Sequence, residues 1–301
     1  MKKTLLTLLV IAALLLLGWF LFMRESTTDV TGPTDDDQVT STDDGADDED
    51  EDEEPIRSIG ESANGNEIRA YTFGDGDTKL LFVGGIHGGY SWNTSLLAFE
   101  LIDALEAGSI TLSDDVEVTV VPVVNPDGLD AVVGTTGKFA ANDVPAGVDT
   151  VPGRFNGNGV DLNRNFDCDW QAEGVWQQQS VSGGTGPFSE PEAAAMRTFV
   201  ETYSPDAAVV FYSSAGGVFA SNCHDGVSTE TREILNVYAN ASGYAPYESY
   251  DFYEITGDFA NWLASRNTPA ISVLLTDHTS TEWTKNRAGI EALLAFYADE
   301  A

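Results

Sequence analysis

The segment GRFNGNGVDLNRNFDCDW, Gly153 to Trp170, concentrates two arginines and four asparagines among glycines and aspartates. Such a stretch is too polar for a core and too rich in fixed donors for a linker. Arg154, Asn163 and Arg164 offer hydrogen-bond donors suited to a carboxylate, and arginine presents them as a planar fork. Two readings stay open for these side chains. They capture the carboxylate of a ligand, or they are held by internal salt bridges to some of the many acids.

Outward from this segment, apolar and β-branched runs alternate with helical patterns. Leu80 to Ile86, Val116 to Asn125, Ala207 to Ser214 and Pro269 to Leu275 are predicted to be buried strands. Helices are predicted over Trp92–Leu105, Glu190–Tyr203, Thr229–Ala241, Gly257–Ser265 and Lys285–Ala298. Ser189 is the expected cap of the second, with Pro191 in its first turn and Glu192 three residues after the cap. This alternation predicts an α/β sandwich with helices on both faces of the sheet, and ligands in such folds settle at the carboxyl ends of strands. GGIHGGYSWNT, Gly84 to Thr94, sets His87 directly after a strand. Taken alone, a local hydrogen-bonding role for His87 is simpler than metal ligation.

Residues 1–54 are unlike the rest. Lys2 and Lys3 precede Leu5 to Met23, 19 residues without a charge, long enough to span roughly 28 Å as a helix. The run over residues 1–24 reads as a signal anchor or a removed signal peptide, with the remainder exported in either case and held at the cell membrane in the first. Glu25 to Glu54 carries 15 acidic residues and no basic one, the composition of a solvated, self-repelling tether. Residues 55–301 suit one domain. Their two cysteines, Cys168 and Cys223, read most simply as one disulfide; paired metal thiolates would call for a CxxC spacing, which is absent. Across the chain 14 Lys and Arg face 49 Asp and Glu, a formal charge of −35. That balance excludes a nucleic-acid binder, which needs clustered cations.

With VNPDG at Val124 to Gly128, GPFSEPE at Gly186 to Glu192 and YEITGDFANW at Tyr253 to Trp262, the segments above resemble the zinc carboxypeptidases of the A, B and D type. The order and spacing match over residues 57–297, and DLNRNF is the most specific string. The resemblance implies a mixed sheet of about eight strands flanked by helices, with an active-site funnel at the strand ends. It makes His87 the first zinc ligand. Asn163 and Arg164 would bind a peptide's C-terminal carboxylate, Arg154 would help polarise the scissile carbonyl, and Tyr253 would be the mobile tyrosine over the substrate.

Three positions depart from the pattern. Tyr90 and Ser91 stand where the family has a glutamate ligand, Ser213 stands where it has the third ligand, a histidine, and Leu274 stands where it has the catalytic glutamate. A catalytic zinc needs about three protein ligands and one open position, and serine is hardly ionised near neutral pH. Zinc binding is therefore expected to be weak or absent. The leading expectation is a membrane-tethered, extracellular pseudoenzyme that keeps a pocket for peptides with a free C-terminal carboxylate, peptidoglycan stem peptides among them. An active metallocarboxypeptidase with a displaced ligand set is the alternative, and a structural ectodomain that binds nothing is a third. A displaced set would draw on His278, with Asp277 and Glu282 in the same loop. For His278 and His224 an exposed loop position is the simpler expectation. Ile255 or Thr256 would form the base of the specificity pocket.

Overall fold

The computed structural model describes residues 55–300, with side chains to residue 298. The apolar run Leu5 to Met23 and the acidic run Glu25 to Glu54 lie outside these residues. Among the described residues no helix is long and apolar enough to cross a membrane.

Among the described residues, ten strands form in chain order: β1 (Ile56–Glu61), β2 (Glu67–Phe73), β3 (Thr78–Val83), β4 (Val116–Val121), β5 (Glu173–Trp176), β6 (Gln179–Ser182), β7 (Ala207–Ser213), β8 (Gly217–Ala220), β9 (Ala245–Tyr247) and β10 (Ala270–Leu275). Six α-helices accompany them in the described residues: α1 (Trp92–Glu106), α2 (Pro126–Val133), α3 (Pro191–Tyr203), α4 (Thr229–Ser242), α5 (Phe259–Ser265) and α6 (Trp283–Glu300). Eight strands make one sheet in the order β1-β2-β4-β3-β7-β10-β8-β9, and β5 pairs with β6 as a separate hairpin. The four central strands, β4, β3, β7 and β10, run parallel, while β2 and β8 join them antiparallel.

The central strands are apolar in succession because both their faces are covered. Leu80 and Phe82 of β3 face one side with Val209, Phe211, Ile271 and Val273, beneath α1, α4 and α6. Leu81 and Val83 face the other side with Ala208, Val210 and Tyr212, beneath α3 and α5. The two-residue period of a strand thus divides each apolar run between two cores.

The order of strands places the site. After β3 the chain steps to β4 on one side, and later returns to β7 on the other. The carboxyl end of β3 is therefore a point where the winding reverses, and a crevice opens outside it. His87 follows β3, Ser213 ends β7, and Leu274 lies one residue before the end of β10, where Leu275 pairs with Ser213.

Helix ends differ from the expected ones for local reasons. The cap of α3 is Glu190, not Ser189. The Ser189 hydroxyl is used elsewhere, accepting from Asn165 Nδ2 at 3.0 Å and from the Thr185 amide at 3.1 Å. Helix α5 begins at Phe259, after Asp258, whose carboxylate accepts the Asn261 amide as a cap, rather than at Gly257. Helix α6 begins at Trp283, two residues before the expected Lys285.

Candidate active site

A cavity of about 370 Å³ opens at the strand ends. Its wall includes His87, Tyr90, Arg154, Asn163, Arg164, Tyr212, Ser213, Tyr253, Leu274 and His278, so the fold gathers residues separated by up to 191 positions in sequence.

Asp161 is the hub of the buried part. One of its oxygens, Oδ2, accepts from Arg154 Nε at 3.0 Å and Nη2 at 2.7 Å, while Oδ1 accepts the Asn163 amide at 3.1 Å. Oδ1 also approaches His87 Nε2 at 3.3 Å without the alignment of a full hydrogen bond. Burial alone would raise the Asp161 pKa, but Arg154, then His87 and Arg164, outweigh it and hold the carboxyl well below the usual range. His87 moves the other way. Burial first, and the charge of Arg154 second, lower its pKa to about 4, so the ring is neutral near pH 7. Its Nδ1 is buried and has no hydrogen-bond partner among the described residues.

The two arginines divide the readings left open by the sequence. Arg154 is internally paired through Asp161, and its guanidinium also stacks over Trp176 at 4.5 Å and Tyr90 at 5.5 Å. Arg164 has no carboxylate within ion-pair distance among the described residues. Its Nη1 donates to the carbonyl of Asn163 and its Nη2 to that of Val175, both at 2.7 Å, and its Nε is buried without a partner. Among the described residues neither Asp161 nor Asp167 is within ion-pair distance of Arg164, whose hydrogen bonds go to the two carbonyls. Asn163 Oδ1 accepts from Tyr212 Oη at 2.9 Å and the Phe259 amide at 3.2 Å. That bonding fixes the amide's orientation and turns its donor end away from those partners. The Tyr253 ring lies 5.9 Å from the Arg164 guanidinium.

Local structure explains why the loop holds this shape. Gly257 donates to the Cys168 carbonyl at 2.7 Å and accepts the Phe166 amide at 2.9 Å. It has φ of +63°, and a Cβ there would stand 2.5 Å from the Arg164 carbonyl oxygen. Asn165, which the sequence reading passed over, donates to the carbonyls of Gly183 and Gly186 and accepts the Glu190 amide, tying the loop to the start of α3. Cys168 and Cys223 are joined by a disulfide with Cα atoms 6.1 Å apart.

Of the positions that depart from the expected zinc pattern, Tyr90, Ser213 and Leu274 line this cavity, and Ser91 follows Tyr90 without lining it. Ser91 is buried just before α1, its hydroxyl without a partner among the described residues. Ser213 Oγ donates to Asn93 Oδ1 at 3.2 Å and contacts His278 Nδ1 at 2.8 Å. Leu274 lines the wall as hydrocarbon. His278 is half-buried against the Tyr90 ring, 4.6 Å between centroids, which corrects the expectation of an exposed loop histidine. His224 is exposed, beside Asp169.

Asp277 and Glu282 do not turn towards His278 as a displaced ligand set would need. Asp277 Oδ1 accepts the Thr279 and Ser280 amides. Glu282 is taken up by Thr276, Lys285 and Tyr244. Among the described residues no three His, Cys, Asp or Glu side chains are grouped to hold a metal ion. His87 has the posture of a metal-binding imidazole, one nitrogen towards a carboxylate and the other unpartnered. His87 without two further His, Cys, Asp or Glu side chains grouped with it among the described residues is nevertheless not a donor set for catalytic zinc. Ile255 lines the cavity, whereas Thr256 is buried with a hydroxyl that has no partner among the described residues; Asp258, Ser272 and Asn261 contribute to the same wall.

The model of the family described as zinc carboxypeptidase matches residues 51–298. The chain belongs to the zinc carboxypeptidase family. Among curated relatives, the γ-D-glutamyl-L-diamino acid endopeptidase 1 of Lysinibacillus sphaericus is 25% identical over 215 residues, 65% of this chain and 54% of that protein. Human carboxypeptidase O is 44% identical, over only 50 residues, 16% of this chain and 13% of its own. The chain thus spans about half, or less, of the length of these curated relatives. Among solved structures, the murein-tripeptide amidase MpaA of Escherichia coli O157 superposes with a TM-score of 0.57 at 22% identity, covering 81% of this chain and 91% of that one. Bovine thrombin-activatable fibrinolysis inhibitor gives a TM-score of 0.60 at 19% identity, covering 81% and 88%. These likenesses establish the zinc carboxypeptidase fold, a mixed eight-stranded sheet with flanking helices.

Proposed function

We propose that this domain binds peptides through their C-terminal carboxylate and has lost zinc-dependent hydrolysis. The observation that carries the reading is Arg164. It is a buried guanidinium at the cavity wall, held by two carbonyls, with no acid of its own among the described residues. A buried charge without a counter-ion is unfavourable, and an entering carboxylate would relieve it with two charge-assisted hydrogen bonds. Asn163 would orient the second oxygen, and Tyr253 would close over the ligand. Arg154, already neutralised by Asp161, would face the last peptide carbonyl.

The loss of hydrolysis is supported by serines at the expected ligand positions 91 and 213 and by the hydrocarbon of Leu274 at the expected position of the base. Peptidoglycan stem peptides are the ligand class we favour, supported by two of the relatives, whose names describe action on γ-D-glutamyl-diamino acid bonds and murein tripeptide. The reading places the domain outside the cell, tethered by residues 1–54 to the membrane.

Calorimetry with short peptides tests the proposal. Free-acid peptides are expected to bind, and their C-terminally amidated counterparts to bind at least about tenfold more weakly, the effect of losing roughly 1.4 kcal/mol of charge-assisted bonding. Equal affinity for the two forms would remove the carboxylate reading. Near-stoichiometric zinc in the purified protein, with chelator-sensitive release of C-terminal residues, would instead establish an active metallopeptidase.

A further inference from the structure

The same cavity carries polar groups that carboxylate binding leaves unused. Ser213 and Ser214 stand at the end of β7, and His278 follows β10. Ser213 Oγ lies 2.8 Å from His278 Nδ1, and Ser214 Oγ lies 3.3 Å from Nε2, so the imidazole sits between two hydroxyls. The hydrogen-bond directions are set from behind. Asn93 donates its Nδ2 to the carbonyls of Asp277 at 2.8 Å and Ser280 at 2.9 Å, which leaves Oδ1 to accept from Ser213. With its proton spent on Asn93, Ser213 accepts from His278 Nδ1–H. That fixes the tautomer, and the Nε2 lone pair is turned towards Ser214.

The surroundings suit a reactive centre. Ser214 is exposed and His278 half-buried, both on the cavity wall. Tyr90 packs against the imidazole and holds its plane. Burial, then the charge of Arg154, lowers the His278 pKa. Arg154 lines the same wall and uses only Nε and Nη2 on Asp161.

We propose that Ser214 and His278 are a nucleophile and base pair, positioned by Ser213 and Asn93, that takes up the acyl group of a carboxylic ester or amide. The inference rests on the carboxylate reading only for where a peptide would lie. Ser214 Oγ attacks the acyl carbon while its proton passes to His278 Nε2, and Arg154 Nη1 faces the oxyanion that forms. Collapse breaks the bond to the leaving alcohol or amine, which departs with the proton from Nε2. Water then attacks the acyl-serine, gives its proton to Nε2, and releases the carboxylic acid with Ser214 restored. Nucleophile, base and an orienting group behind the base are the parts such chemistry needs, and recognition is by geometry and not by sequence position.

The test is covalent capture by a fluorophosphonate ester on the full chain. A bond from Ser214 Oγ to phosphorus would form, fluoride would leave, and His278 would take the proton. Mass spectrometry is expected to show one adduct, mapped to Ser214 and absent from Ser214→Ala. His278→Gln should react about 100-fold more slowly, the lower end of what a positioned base contributes. No adduct, an adduct on another residue, or one that persists in Ser214→Ala would overturn the proposal, as would unchanged labelling of a folded His278→Gln. Because the probe has no carboxylate, labelling succeeds or fails independently of the peptide-binding experiment.

Discussion

Arg154 donates twice to one oxygen of Asp161, and both side chains are almost wholly removed from solvent. Removing one partner strands the other's charge. Asp161→Asn is expected to destabilise the domain by about 3–5 kcal/mol in urea unfolding. Adding Arg154→Met to it should recover a large part of that loss. Strictly additive effects of the two changes would show that the pair is not coupled.

The carboxyl of Asp258 is buried, its Oδ1 has no partner among the described residues, and desolvation raises its pKa from 3.8 to about 6. Between these values the folded protein holds a proton that the unfolded chain has lost, so this group's contribution falls as pH rises from about 4 to 6. Above pH 6 the full penalty, about 3 kcal/mol, is present. Asp258→Asn keeps an oxygen to accept the Asn261 amide. It should therefore be more stable than the parent at pH 7 and converge with it near pH 4, as followed by thermal unfolding across that range. A gap that does not change with pH would contradict a protonated Asp258.

Gly257 and Gly134 both have positive φ, yet only Gly257 meets backbone where a Cβ would go. Gly134→Ala, with open space around it, should show just the left-handed penalty of about 1–2 kcal/mol. Gly257→Ala should be worse in stability and should also weaken peptide binding, because the displaced atom is the Arg164 carbonyl oxygen. Circular dichroism melts and calorimetry on the two variants separate strain from the loss of site shape.

The disulfide joins residues 55 positions apart. Closing a loop of that length stabilises by about 4 kcal/mol when the unfolded chain is unstructured. The Cys168→Ser, Cys223→Ser protein is expected to unfold at lower denaturant by up to that amount. An unchanged midpoint would mean that the loop is already ordered in the unfolded ensemble.

The central sheet was legible because β3, β4, β7 and β10 are buried on both faces and so read as continuous apolar runs. The runs overshot β3 and β4, since Gly84 to Ile86 and Pro122 to Asn125 lie beyond the strand ends. The outer strands were not legible as such. In β2 and β5 exposed and buried residues alternate over short spans, and β9 is exposed throughout. Ser189 carried the signature of a cap, but Asn165 competes for its hydroxyl. At the site, composition could not say which arginine would be internally paired, since Asp161 lies within reach of either along the chain. Only folding puts Arg154 against it and Arg164 against two carbonyls. The setting of His278 depended on Tyr90 and Ser213, 188 and 65 residues away, beyond any local pattern.

Trp176 covers the guanidinium of Arg154 and touches Tyr90 edge-on, 5.0 Å between centroids, in the wall of the cavity. An indole so placed is a built-in optical gauge. Its emission will respond when an occupant changes the field or the quenching around Arg154, so titrations can be followed with no dye attached, and a Trp176→Phe protein identifies which part of the signal comes from the cavity.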